Sequence, residues 1–140
     1  MSRIFWDTNL FVHLLEDKGE LTERVVALRE RMVERSDELF TSTLTLGEIL
    51  VRPVEAGDEE LARRYEHAIT AAATVLQFDR SAAVAFAGIR RDRSIAPPDA
   101  IQLACASVAG VDMFITSDQR LSRKVVPGIH FIQSLANAAL

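Results

Sequence analysis

The chain is 140 residues long, 49% hydrophobic and 26% charged. This length and composition exclude a disordered or fibrous protein and predict a single globular domain spanning residues 1–140. The formal net charge of −4 argues against a polyanionic partner, unless bound cations neutralise some acids or basic residues gather in patches. The sequence has two basic clusters: Arg90, Arg91 and Arg93, and Arg120, Arg123 and Lys124.

Cysteine usage and hydropathy predict a cytoplasmic protein. The one cysteine, Cys105, lies in the apolar segment AIQLACASVAG, so no internal disulfide is expected and the side chain should be a small buried hydrophobe. We find no stretch of about 18 apolar residues and no signal-peptide pattern. We therefore expect neither secretion nor membrane insertion.

The first half of the chain alternates strand and helix patterns. RIFWD predicts a strand, and NLFVHLLED predicts a helix that ends before Gly19. An amphipathic helix follows in LTERVVALRERMVERSDE, with Val33 among its apolar positions. LFTSTLT predicts a second strand, and LTLGEILVRP a short helix stopped by Pro53.

The second half continues the alternation. Asp58 is expected to cap a helix, and TVLQFD predicts the third strand. RSAAVAFAGIRRDRS predicts a helix, and APPDAIQLACASVAG predicts another, with Asp99 in its first turn and Gly110 at its end. DMFITSD and IHFIQS predict the last two strands.

This order of elements predicts an α/β fold. Strands that alternate with helices form right-handed crossovers and a mostly parallel sheet that is covered on both faces. The expected architecture is a three-layer α/β/α sandwich. In open sheets of this kind, ligands bind at the carboxyl ends of the strands.

Four acidic residues fall at that carboxyl edge. Asp7 ends the first strand, and Glu48 lies about one turn into the helix after the second strand. Asp99 opens a helix, and Asp118 follows the fourth strand. Each has an ordinary explanation alone: a strand-end hydrogen bond, a solvated helix face, the helix dipole or a turn.

Taken together, the four acids point to bound cations. Carboxylates gathered at one edge would repel each other by about 4 kcal/mol per close pair at an effective dielectric constant near 20. Hard oxygen ligands without an accompanying Cys or His set favour Mg²⁺ or Mn²⁺ over zinc, and magnesium sites often include substrate phosphate. Such ions assist in-line displacement at phosphorus.

The ordered segments FWDTN, TLTLGEI, PPDAIQLACA and FITSD resemble the PIN-domain ribonucleases. The likeness covers essentially the whole chain. The length of the chain and its helical insert resemble those of the VapC-type toxins of type II toxin–antitoxin pairs. The resemblance implies a PIN-like fold, an acidic quartet binding Mg²⁺ or Mn²⁺, and polar neighbours that orient waters or ligands. By it, the quartet is Asp7, Glu48, Asp99 and Asp118, and the neighbours are Thr8, Asn9 and Thr116.

The resemblance also implies a reaction and partners. The family cleaves single-stranded or looped RNA hydrolytically, leaving a 5′-phosphate and a 3′-hydroxyl. Its members often form homodimers, and in the toxins an antitoxin protein holds the nuclease inactive. The expected partners are therefore an RNA substrate, a cognate antitoxin and a second copy of the chain, without a membrane.

The first basic cluster has two interpretations. Arg90, Arg91 and Arg93 precede Asp99 by a few residues, so they could hold the RNA backbone beside the metal cleft. They could equally be a solvated helix end that the helix dipole stabilises. His13 could line the cleft, although a packed or partly solvated histidine is the more ordinary expectation.

Two other functions compete with the nuclease. One is a catalytically idle PIN-like module that binds RNA or a protein, against which the intact acids count. The other is a phosphatase that forms an aspartyl-phosphate at Asp7. The segment DTN lacks the second acid, two residues on, that such an enzyme uses for proton transfer.

Overall fold

The structure, a computed structural model, describes residues 1–16, 19–138 and 140. Its strands are β1 (Arg3–Trp6), β2 (Glu38–Ser42), β3 (Thr74–Leu76), β4 (Met113–Thr116) and β5 (Phe131–Ser134). Its α-helices are α1 (Thr8–Glu16), α2 (Glu20–Arg35), α3 (Thr43–Glu55), α4 (Glu59–Ala72), α5 (Arg80–Ile89) and α6 (Pro97–Ala109). Short 3₁₀ helices cover Leu121–Arg123 and Leu135–Asn137. Asp17, at the end of the predicted first helix, lies outside the described residues.

The sheet has the strand order β3-β2-β1-β4-β5, and every neighbouring pair is parallel. β1 lies at the centre because its residues Ile4, Phe5 and Trp6 are apolar without alternation, as expected of a strand that is covered on both faces. The prediction of a mostly parallel sheet is confirmed.

Helices cover both faces of this sheet. Phe5 packs into one core cluster with residues of α5 and α6, such as Ala82 and Leu103. Its neighbours Ile4 and Trp6 point to the other face and pack with residues of α1, α2, α3 and α4. The result is the three-layer α/β/α sandwich that the sequence predicted.

Two predicted boundaries around α3 are wrong. β2 ends at Ser42, three residues earlier than predicted, because the Ser42 hydroxyl accepts the Leu44 N–H at 3.2 Å and caps α3. Pro53 does not stop α3, which continues to Glu55. Near the end of a helix a proline removes a single backbone hydrogen bond, and Pro53 is buried there.

Three smaller expectations also fail. Val33 is 61% exposed because it lies on the solvent side of α2. β3 stops at Leu76, three residues short of the predicted strand. α5 ends at Ile89, so Arg90, Arg91 and Arg93 follow the helix in a turn region instead of extending it.

Asp58 and Asp79 cap α4 and α5, with N–H to carboxylate distances of 3.0 and 2.9 Å.

Candidate active site

The central strands bring Asp7 and Thr116 together at the carboxyl edge of the sheet. β1 and β4 are parallel neighbours with Trp6 paired to Ile115, so the residues that follow these two positions are adjacent. The Asp7 N–H donates to the Ile115 carbonyl at 3.0 Å. The Thr116 hydroxyl donates to Asp7 Oδ2 at 2.9 Å, which holds the carboxylate at the strand ends.

Asp7 is a buried carboxyl group, with only 7% of its surface exposed. Burial raises the pKa of Asp7 to about 6. The hydrogen bonds from the Thr116 hydroxyl and from the Thr8 N–H, which lies 2.8 Å from Asp7 Oδ1, oppose this increase. The negative charges of Asp99 and Glu48 raise this pKa further. The Asp7 carboxyl group therefore lies close enough to other acids for their negative charge to act on it.

Glu48 approaches the same place from α3, where its side chain is exposed. The Thr8 hydroxyl donates to Glu48 Oε1 at 2.7 Å and so links α1 to α3. This contact places the Glu48 carboxylate beside the sheet edge, where its charge raises the pKa of both Asp7 and Asp99.

Asp99 and Asp118 occupy the other side of the edge. Asp99 is half-buried in the first turn of α6. Its pKa is raised by burial and then by the charges of Asp118 and Glu48, whereas Arg120 opposes the shift. Asp118 accepts the Arg120 N–H at 2.9 Å, and its own N–H donates to the Thr116 hydroxyl at 3.1 Å. The structure thus brings all four predicted acids to one edge, where their charges act on each other.

The predicted polar neighbours differ in position. Thr8 and Thr116 both contact the acids, as described above. Asn9 is exposed in the first turn of α1, and His13 lies one turn further on and is half-buried. The His13 carbonyl accepts the Thr22 hydroxyl at 2.7 Å, a contact between α1 and α2 that involves no acid of the edge.

A buried polar network beneath the acids was missed by the sequence interpretation. Gln102 on α6 is 1% exposed and contacts Ser42 at the end of β2 and Thr45 on α3. Its amide also contacts Thr8 at 3.0 Å. A sequence signal existed, because Gln102 is the one polar residue in the run AIQLACA and follows Asp99 by three positions, on the same face of a helix.

A groove of about 350 Å³ runs past Asp99 and Asp118. Its wall includes Arg120, Arg123 and Lys124, the second basic cluster. This places cationic side chains beside two acids, which suits a substrate that carries negative charge.

The first basic cluster is placed differently. The Arg90 guanidinium donates to the Ile95 carbonyl at 2.7 Å and so braces the loop before α6. Arg91 lines a second, more apolar groove of about 700 Å³, and Arg93 is exposed. A role of these three residues in holding RNA stays a prediction.

The donor chemistry of the edge fits a hard divalent cation. Within residues 1–16, 19–138 and 140, no three Asp, Glu, His or Cys side chains form a ready-made metal cluster. Mg²⁺-type sites commonly use one or two carboxylates and complete their shell with waters and substrate phosphate. The buried Asp7, whose charge is disfavoured by burial and by neighbouring acids, is the group that a cation would stabilise most.

These features define a parallel α/β protein with an acidic site at the carboxyl ends of its strands. The PIN domain family model matches residues 4–126. The chain belongs to the PIN domain family. No curated protein sequence matches the chain.

Solved structures of toxin–antitoxin complexes share this fold. DNA-bound VapBC from Salmonella typhimurium has a chain that is 23% identical, with a TM-score of 0.71 and coverage of 96% of this chain and 99% of that one. For VapBC2 from Rickettsia felis, bound to a promoter DNA fragment, the identity is 12%, the TM-score 0.70 and the coverage 94% and 98%. For VapBC-1 from nontypeable Haemophilus influenzae the values are 17%, 0.67, 96% and 99%.

None of the described helices is long and apolar enough to cross a membrane.

Proposed function

We propose that this protein is an endoribonuclease that uses Mg²⁺ or Mn²⁺ to hydrolyse RNA phosphodiester bonds. The observation that carries the proposal is the mutual charge interaction of Asp7, Glu48, Asp99 and Asp118 at the carboxyl edge of the sheet. Acids whose charges raise the pKa of Asp7 and Asp99 are costly to the fold, and a site for divalent cations is the arrangement that explains them.

The four carboxylates are the groups that would hold the metal. A bound divalent cation would supply Lewis-acid stabilisation of the phosphate oxygens and lower the pKa of a water molecule. Asp7 contributes a carboxylate whose direction is set by the Thr116 hydroxyl and the Thr8 N–H. Glu48 contributes one that the Thr8 hydroxyl holds at 2.7 Å. These hydrogen bonds orient the oxygens before substrate arrives, which lowers the cost of assembling the site.

The groove beside Asp99 offers a path for the RNA backbone. Arg120 and Arg123 line this groove of about 350 Å³ together with the acids. In this proposal they neutralise the phosphates on either side of the scissile bond, where guanidinium groups bind phosphate oxygens well. Arg90, Arg91 and Arg93 would contribute at most at longer range, since Arg90 is already bonded to Ile95.

We further propose a VapC-type toxin. The support is membership of the PIN domain family together with a fold shared, across nearly the whole chain, with structures described as toxin–antitoxin complexes. On this reading residues 1–140 act as one PIN-like domain, pair as a homodimer in the cytoplasm and are held inactive by a cognate antitoxin.

The nuclease proposal is tested by incubating a panel of structured RNAs with the purified protein and Mn²⁺, wild type beside Asp99→Asn. We expect wild-type cleavage with 5′-phosphate products, and loss of that cleavage in the variant and in EDTA. Asp58→Asn is the matched control, because Asp58 caps α4 and asparagine caps a helix as well as aspartate does. Equal cleavage by Asp99→Asn would contradict the proposal. RNA binding without cleavage by the wild type would indicate an idle binding module.

The toxin proposal has a separate test. We expect induced expression of the wild type, but not of Asp99→Asn, to arrest growth of a bacterial host. Co-expression of the small protein encoded next to this gene should relieve the arrest. Harmless expression of a protein that cleaves RNA in vitro would remove the toxin assignment and leave the nuclease.

A further inference from the structure

Gln102 is a buried polar residue beneath the acids, and its described hydrogen bonds all stay inside the site. It is 1% exposed in the apolar helix α6. A buried primary amide costs free energy unless its donors and acceptor are all bonded. Among the described residues, the hydrogen bonds of the Gln102 side chain lead to Ser42, Thr45, Thr8 and Asp7.

The surrounding groups fix which way this amide points. The Ser42 hydroxyl accepts the Leu44 N–H, so its own proton is available to donate to Gln102 Oε1. Gln102 Nε2 then faces Thr45 Oγ1 at 2.7 Å, Thr8 Oγ1 at 3.0 Å and Asp7 Oδ1 at 3.5 Å. The opposite orientation would place the amide oxygen against the Asp7 carboxylate, and two acceptors repel.

The amide in turn determines the direction of the Thr8 hydroxyl. A threonine hydroxyl has one proton to donate and two lone pairs to accept with. Gln102 Nε2 donates to one lone pair of Thr8 Oγ1, and the Thr45 hydroxyl lies 3.1 Å from the same oxygen. The Thr8 proton therefore points to Glu48 Oε1, 2.7 Å away. Ser42, Gln102, Thr8 and Glu48 form one directed chain of hydrogen bonds.

This chain of hydrogen bonds links the elements whose relative positions must be fixed for the acids to act together. It joins the end of β2, helix α6, the start of α1 and the exposed Glu48 on α3. Glu48 is the acid that lies on the solvent side of the site, so its carboxylate has the most freedom to lose. Partners that orient a metal-binding carboxylate commonly change metal affinity by about 10- to 100-fold.

We propose that Gln102 is a positioning residue, which directs the Thr8 hydroxyl onto Glu48 and thereby sets the affinity of the acidic site for divalent cations. This inference rests on the proposed function, since it assumes that the acids bind metal. Gln102 itself touches neither metal nor RNA in this scheme. It acts mainly through Thr8, because its contact with Asp7 Oδ1, at 3.5 Å, is the longest that its amide makes.

The test measures Mn²⁺ binding to the full chain without RNA, from the loss of the electron paramagnetic resonance signal of free Mn²⁺. Gln102→Met keeps the size and helix propensity of the side chain but removes both N–H donors. We expect its dissociation constant for Mn²⁺ to rise by about 10- to 100-fold. Gln102→His retains one N–H donor and should recover part of that loss.

A double-mutant cycle separates positioning from a general structural effect. Because Gln102 acts through Thr8, we expect Gln102→Met to weaken Mn²⁺ binding much less in a Thr8→Val background than in the wild type. The double variant should bind within about threefold of Thr8→Val alone. If Gln102→Met does not fold, Gln102→His and Thr8→Val still complete a cycle with the same expectation.

The outcomes distinguish this inference from the proposed function. Tight Mn²⁺ binding by the wild type with an unchanged dissociation constant in Gln102→Met would overturn the role of Gln102 and leave the nuclease proposal standing. Losses that simply add in the double variant would also overturn it. Absence of Mn²⁺ binding in the wild type would overturn both.

Discussion

The two edges of the sheet each bury an aspartate, but they surround it differently. At the amino edge, the Asp37 side chain is fully buried, accepts the Ser2 N–H at 2.7 Å and lies 3.0 Å from the Arg35 Nε. The amino group of Met1 lies 4.0 Å from the same carboxylate. At the carboxyl edge, the described bonds to the Asp7 side chain come from neutral groups on Thr8, Gln102 and Thr116.

Under the proposed function, this difference is that between a structural acid and a metal-binding one. Asp37 is paired with a cation of its own chain, so it ties the start of β1 to the end of α2. Asp7 instead faces Asp99 and Glu48, which raise its pKa. A carboxylate that its own fold leaves uncompensated is poised to bind a cation from outside, at the expense of the stability of the metal-free protein.

The largest expected effect concerns cleavage. Asp7→Asn should lower the rate of RNA cleavage by at least about 100-fold, because it removes a charged ligand from the metal site. Asp37→Asn, assayed below its melting temperature, should cleave at close to the wild-type rate. Rates on one RNA with Mn²⁺ check both variants. Equal losses would mean that the two edges do not differ in function.

The second expected effect concerns stability and has opposite signs at the two edges. In EDTA at pH 7.5, Asp7→Asn should raise the free energy of unfolding by up to about 3 kcal/mol, because it removes a buried negative charge. Asp37→Asn should lower it by about 1–3 kcal/mol, since Arg35 loses its partner. Urea denaturation followed by circular dichroism measures both. A destabilised Asp7→Asn would show that the Thr116 and Thr8 hydrogen bonds outweigh the cost of burial.

The third prediction is a pH dependence of the metal-free protein. The pKa of Asp7 is about 6 in the folded chain and near 3.8, the ordinary value for an aspartate, when the chain is unfolded. As pH rises between these values, the unfolded state loses its proton first. The free energy of unfolding should therefore fall by about 1.4 kcal/mol per pH unit in that interval, and the Asp7 contribution should be constant on either side.

The other carboxyl groups of the chain titrate in the same interval, so the informative quantity is a difference. Subtracting the free energy of unfolding of Asp7→Asn from that of the wild type, both in EDTA, should isolate this slope. A difference that does not change between about pH 4 and pH 6 would contradict a pKa of Asp7 raised above the ordinary value for an aspartate.

The smallest expected effect distinguishes the two basic clusters. Arg123→Ala should weaken the binding of an RNA that stays uncleaved during the assay several-fold. It should also reduce the slope of log affinity against log salt concentration by about one. Arg91→Ala, whose side chain lines the other groove, is the matched control and should leave both quantities near their wild-type values. Filter binding in Ca²⁺ at several salt concentrations measures this. Identical effects would extend the RNA path to the first cluster.

Much of the fold was predictable because it depends on local patterns. The unbroken apolar run of β1 requires cover on both faces, and the helix caps at Asp58 and Asp79 depend on a few neighbouring residues. The two errors around α3 have different causes. Pro53 lies buried inside α3 instead of stopping it, which depends on packing, whereas Ser42 ends β2 because its hydroxyl caps the next helix, a local signal that the sequence interpretation missed.

The sequence by itself predicted one sheet edge for Asp7, Glu48 and Asp118, since each closely follows the carboxyl end of a parallel strand, and for Asp99 from its place in the first turn of α6. Only the tertiary structure decided what surrounds them. The Gln102 amide meets Thr8 from a distance of 94 positions along the chain, and the second basic cluster lines the groove instead of the first. Periodicity and spacing report which elements form, whereas hydrogen bonds between distant segments depend on how those elements pack.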